Sequence, residues 1–117
     1  MTAEDRKLRR IVSEFRKGII GDKNSRNYCY MIAAPLEGYL NLIGYQCHLV
    51  TQGTVTVDDT YHQHVWLELP DHRIIDPTAD QFPSPDGKKM PEVYIGRLPS
   101  WYEERFLPPS LEYRENT

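Results

Sequence analysis

Cysteine is scarce in this chain, with two in 117 residues, Cys29 and Cys47. A reducing cytoplasm leaves both as thiols. No Cys-x-x-Cys or His-x-x-x-His pair is present, so a zinc site drawn from Cys47, His48, His62 and His64 has little support, and no metal or other cofactor is expected. A basic excess is also missing. Fourteen Lys and Arg against 17 Asp and Glu give a formal net charge of -3, which argues against a nucleic-acid partner. No run of about 18 apolar residues occurs, so no membrane span is expected. The charged start MTAEDRKLRR leads into no apolar segment, so no signal peptide is expected and the cytoplasm is the expected location.

What is there reads as one small globular domain. Hydrophobic residues are 39% and charged residues 26% of the chain, ordinary proportions for a folded protein. Leu8, Ile11, Val12, Phe15 and Ile19 recur at spacings of three and four, predicting a helix from Glu4 to about Ile20 that stops at Gly21. A second helix is predicted from Cys29 to Gly44, capped by Ser25 or Asn27, with Tyr30, Ala33, Ala34, Leu36, Leu40 and Ile43 as its apolar stripe and a bend at Pro35.

From Gln46 the period changes to two. One strand runs to Val57 with a bulge or tight turn at Gln52-Gly53, and a second runs from His62 to Leu69. In the second, Val65, Leu67 and Leu69 face one way and His64, Trp66 and Glu68 the other. A turn at Pro70-Asp71-His72 leads into a short strand, Arg73 to Asp76. Beyond Asp76 seven prolines predict mostly loop, with a helical turn around Trp101, Tyr102 and Phe106 and a fraying end from Glu112.

Three residues form a chemical constellation. Cys29 opens a helix, whose N-terminal partial charge favours a thiolate. His64, in a strand, can accept the thiol proton and later protonate a leaving group. Asp76 closes the next strand, where a carboxylate can fix the imidazole's tautomer. His64 and Asp76 are separated by one hairpin turn, so side chains on one face can meet. Tyr28, Tyr30 and Trp66 flank these positions as candidate substrate-binding residues.

The local text around the three positions resembles the transglutaminase-like branch of the papain-like cysteine enzymes. The likeness is carried by Cys29 opening a helix with Ala33, Leu36 and Leu40, by Gly44-Tyr45, and by the strand Leu49-Val50. It continues through His64-Val65-Trp66-Leu67-Glu68, Ile75-Asp76-Pro77-Thr78 and Gln81-Phe82, and the block from Tyr61 to Phe82 is most similar to small bacterial and phage members. The resemblance implies an α+β fold with a minimal papain-like core, Cys29 as nucleophile, His64 as base and Asp76 as orienting group. Where transglutaminases carry Gln-Cys-Trp this chain has Tyr28-Cys29-Tyr30, so the oxyanion donor falls to the Cys29 backbone N–H, with Asn27 or Gln46 as further candidates.

The expected organisation is one domain over residues 1–117. It comprises an N-terminal helix (1–21), a core carrying the chemistry (25–82) and a proline-rich wrap (83–117). The expected activity is a cysteine hydrolase, peptidase or deamidase, acting on a protein or peptide through an acyl-enzyme. Acyl transfer to an amine and a non-catalytic protein-binding module on the same fold are the alternatives, and a homodimer is left open.

Overall fold

A computed structural model describes residues 2–105 and 113–114. Helix α1 (Ala3–Ile20) begins where the Thr2 side chain accepts the Asp5 N–H at 3.0 Å, with Glu4 and Asp5 in the positive first turn. It ends at Gly21, whose φ of 58° suits glycine and lets its N–H close on the Lys17 carbonyl.

Helix α2 (Cys29–Leu42) starts where it was expected but is capped differently. Tyr28 is the cap residue and makes no side-chain cap bond. Ser25 instead donates its hydroxyl to Asp80, and Asn27 takes a positive φ of 69° in the preceding turn. Pro35 lies within the helix without ending it. It sits on the exposed side with Met31, whose carbonyl loses its donor where water can replace it.

The buried face of α2 is Cys29, Ile32, Ala33, Leu36 and Leu40, whereas Tyr30 and Ile43, expected in the stripe, are exposed. Nearly every face of this helix is apolar, so spacing alone does not select the face that docks.

Strands β1 (His48–Val57) and β2 (Thr60–Glu68) form a long hairpin. Its two-residue turn places Asp58 and Asp59 at φ of 48° and 64°, the twist that a tight hairpin requires. The register shifts between Val50 and Gly53, so the break read at Gln52-Gly53 is a bulge. Gly53 is needed there because a Cβ would stand 2.2 Å from the Trp66 ring.

A turn with His72 at φ 71° leads to β3 (Ile74–Asp76), followed by a single 3-10 turn at Ala79–Gln81. The proline-rich third is less irregular than expected. It supplies β4 (Tyr94–Gly96), β5 (Tyr102–Glu103) and β6 (Tyr113–Arg114). Tyr102 therefore belongs to a strand, not to a helical turn, while Phe106 lies outside the described residues. Tyr113 and Arg114, expected to fray, pair with β2, and Glu112 and 115–117 lie outside the described residues.

The strand order is β4-β3-β2-β1-β5, antiparallel throughout, with β6 added parallel to β2. The result is an α+β fold, with two helices packed on a curled five-strand antiparallel sheet.

Alternation in β2 feeds two cores. Val65, Leu67 and Leu69 meet Leu8, Val12, Ala33, Leu36 and Leu40 of the helices, and Trp66 meets Val55, Ile74, Phe82 and Tyr102. Leu36 and Leu40 are fully buried, at about 1.5–3 kcal/mol each, so they carry much of the docking of α2. Among the described residues no helix is long and apolar enough to cross a membrane.

Candidate thiol–imidazole–carboxylate site

Backbone register brings His64 and Asp76 together. Leu67 of β2 faces Ile75 of β3, so the next position sets Asp76 beside Trp66 and makes His64 its diagonal neighbour on the same face. His64 Nε2 meets Asp76 Oδ2 at 2.8 Å, and both side chains are fully buried. The carboxylate is otherwise fully engaged. Tyr102 Oη donates to Oδ2 at 2.6 Å, and the Thr78 backbone N–H and hydroxyl donate to Oδ1 at 3.0 and 3.5 Å.

Nothing in the sequence pattern, which places Tyr102 in a helical turn, marks it as a partner of Asp76. Burial and the Asp76 charge push its phenol well above its ordinary pKa of 10, so it stays a donor.

With Nε2 committed to Asp76, Nδ1 is the ring nitrogen left over, and it is buried without a hydrogen-bond partner. The other side chain acting on this ring is Cys29, the first residue of α2. Burial works against a charge on His64. The Asp76 carboxylate, helped by the Cys29 sulfur, outweighs it and lifts the His64 pKa from 6.5 to about 9.

The ring is also walled in by Phe82 edge-on at 5.1 Å, Trp66 at 5.9 Å and Tyr102 at 6.1 Å. Trp66, expected among the substrate-binding residues, has no exposed surface and therefore braces the imidazole from behind. Tyr30 is 58% exposed and Tyr28 half-buried, so both flank Cys29 from accessible positions, while Cys29 itself is 8% exposed.

A second polar network fixes the approach to Cys29. Arg16 is buried on α1 and donates to both Asp80 oxygens at 2.9 and 3.1 Å and to the carbonyls of Pro77 and Glu92. Asp80 also accepts the Ser25 hydroxyl at 2.6 Å, and Gln81 donates to the Ser25 carbonyl at 2.7 Å. The loop before Cys29 is thus tied to the segment just after Asp76. Burial raises the Asp80 pKa, but the bonds from Arg16 and Ser25 outweigh it and hold the carboxyl below its ordinary range. Sequence reading missed Arg16, although a signal was present. Leu8, Val12, Arg16 and Ile20 recur every four residues, and the lone charge in that row is buried with the rest.

Other candidates do not converge on this site. Cys47 lies by Glu37 and Asn41 of α2, and burial with the Glu37 charge raises its thiol pKa to about 11. His48 pairs with Glu68 at the far end of β2, four residues or about 13 Å of strand from His64. His62 packs on Phe82. The Cys47, His48, His62 and His64 set is therefore scattered, and among the described residues no cluster suited to a metal ion forms. Gln46 follows the C-terminal end of α2, about 20 Å of helix from Cys29, which removes it as an oxyanion donor.

A depression of about 560 Å³ lies between the start of α1 and the β2–β3 turn, away from the site. A groove of about 360 Å³ is lined by Arg26, Val57, His62, Asp80, Gln81 and Phe82, and His64 is not among its lining residues.

Comparison with protein-family models, curated proteins and solved structures finds no match to this chain. The chemistry has therefore to be argued from the geometry. A buried imidazole held at one nitrogen by a carboxylate, with a thiol at the N-terminal end of a helix beside it, can carry a proton between sulfur and a leaving group.

Proposed function

We propose that this protein is a thiol enzyme of the transglutaminase-like, papain-like type that cleaves an amide by way of an acyl-enzyme. The observation that supports this best is the division of labour on His64. Asp76 occupies Nε2, and Nδ1 is left buried without a partner next to Cys29.

In the proposed cycle Cys29 transfers its proton to His64, and its sulfur attacks the substrate carbonyl carbon. The Cys29 backbone N–H receives the developing oxyanion at the positive end of α2. Collapse breaks the C–N bond, His64 protonates the departing amine, and a thioester remains on Cys29. Water, deprotonated by His64, then releases the acid and restores the thiol. An amine in place of water would give acyl transfer. Asp76 supports the imidazolium throughout.

The test is the pH profile of alkylation in a Cys47→Ser background. Cys29 should react rapidly below pH 7, and His64→Ala should abolish that low-pH limb while the fold persists by circular dichroism. Reaction only as the pH approaches the ordinary thiol value of about 8.5, unchanged by His64→Ala, would overturn the enzyme reading and leave a protein-binding module.

A further inference from the structure

The outer face of α2 is a surface that the proposed chemistry does not use. A helix that is apolar all round is normally covered on every side, yet α2 packs on the sheet and on α1 and leaves its remaining face in solvent. Leu42 is 83% exposed and Met31 58%, with Tyr30 and Ile43 beside them and Pro35 and Gly38 exposed between them. The patch continues onto α1, where Phe15 stacks on Tyr39 at 5.4 Å and Ile19 is exposed one turn further along. Glu37, the one charged residue of α2, does not interrupt it, because its carboxylate accepts the Leu49 N–H and is turned to β1.

The order of the exposed residues selects the occupant. Met31, Pro35, Gly38 and Leu42 are spaced by four, three and four, the repeat of a coiled-coil seam. The seam is also symmetric. Tyr30 and Ile43, Met31 and Leu42, and Pro35 and Gly38 stand at equal distances on either side of the midpoint between Leu36 and Glu37. A twofold axis through that midpoint lays a second α2 antiparallel to the first, which is the self-complementary patch that an isologous dimer requires. Met31 then meets the partner's Leu42, and the Pro35 ring meets the partner's Gly38. Gly38 leaves room for the ring, since a Cβ there would meet nothing within 4 Å. The seam itself carries no charge, so pairing it with itself brings no like charges together. Ile19, Tyr30, Met31, Tyr39, Leu42 and Ile43, exposed from 39% to 83%, present on the order of 500 Å² per copy. Two copies bury about 1,000 Å², the size of a weak, concentration-dependent interface.

We propose that the outer face of α2 is a homodimer interface in which two copies of this chain pack α2 antiparallel about the Leu36–Glu37 midpoint. The same dyad sets the partner's Ile43 beside Tyr30, the residue after Cys29, so the second copy walls one side of the approach to that thiol. This last consequence rests on the thiol-enzyme reading; the dimer does not.

The experiment is sedimentation of the full chain from about 5 μM to about 1 mM, where the weight-average mass should climb from monomer towards dimer with a dissociation constant of about 10–100 μM. Leu42→Glu should weaken association about a hundredfold, because each dimer contains the change twice. The exposed position of Leu42 leaves the monomer fold intact, which circular dichroism checks. Register is read by disulfide trapping in a Cys29→Ser, Cys47→Ser background. Chains carrying Met31→Cys mixed with chains carrying Leu42→Cys should cross-link to each other on mild oxidation, and neither should cross-link when alone. Cys29→Ser removes the thiol chemistry from this assay, so its failure does not register here.

A chain that stays monomeric to about 1 mM, or a dimer that Leu42→Glu leaves unchanged, would overturn the proposal and assign this face to a different protein or a lipid surface. Cross-linking of Met31→Cys chains with one another would mean a parallel pair and would overturn it equally.

Discussion

Asp76→Asn tests the electrostatics of the site most directly. In the fold the His64 pKa rises from 6.5 to about 9, which at about 1.4 kcal/mol per pH unit corresponds to about 3 kcal/mol of stability from the imidazolium. Loss of one partner from a buried ion pair costs a similar amount, about 3–5 kcal/mol. The sign follows from linkage. A histidine with a raised folded pKa contributes its full stabilisation below pH 6.5 and loses it as the pH rises through about 9. Urea unfolding of the unaltered chain should therefore show stability falling by about 3 kcal/mol between pH 6.5 and 9. In Asp76→Asn only the weaker influence of the Cys29 sulfur opposes the burial of His64, the largest influence on the ring, so the folded pKa should drop below 6.5. Stability should then be about 3 kcal/mol lower at pH 6.5 and should rise with pH up to that point. Titration of the His64 ring protons by NMR checks the same shift independently. A flat profile from pH 6.5 to 9 in the unaltered chain, or parallel profiles in the two proteins, would refute the reasoning.

Gly53→Ala should cost about 1–3 kcal/mol, read as a lower urea midpoint with unchanged slope, because the added methyl would overlap the Trp66 ring that braces His64. Asp80→Asn should cost about 3 kcal/mol near neutral pH by leaving the buried Arg16 without its carboxylate. The Asp80 pKa is lowered in the fold, so that contribution is present above pH 4 and disappears on acidification in the unaltered chain only. Cys47 should resist alkylation at neutral pH and react only as the pH nears 11, which peptide mapping of the labelled chain checks.

The parts of the fold that were legible in the sequence are those where one face is apolar and the other is not. In α1 the polar positions around Leu8 and Val12 mark the stripe and Gly21 ends it, although its last turn buries Ile20 and leaves Ile19, expected in the stripe, exposed. In β2 the alternation of Val65, Leu67 and Leu69 with His64 and Trp66 survives as two separate cores. Sequence reading lost its grip on α2, where an almost wholly apolar helix hides which residues are buried, so Ile32 was overlooked and Tyr30 was placed inward. It missed β4 and β5 because strands of three and two residues are too short to show a period, and they exist through pairing with β3 and β1.

The site was legible to the same degree. The pairing of His64 with Asp76 follows from one hairpin turn and was expected. The Tyr102 bond to Asp76 spans 26 residues, and the Arg16 bond to Asp80 spans 64, so both depend on tertiary contacts that no local spacing encodes.

Tyr102 and Asp76 lie on strands that are not neighbours, since β2 and β1 separate β3 from β5 in the sheet order. Their bond at 2.6 Å therefore ties the sheet across its curl, like a string across a bow. Flattening the sheet would stretch that bond, and with it the acceptor that holds His64. The geometry of Cys29, His64 and Asp76 is accordingly not a local property of three side chains but a readout of the curvature of the whole sheet. Loosening at β5, although it carries none of the three residues, should reach the imidazole as directly as a change beside it.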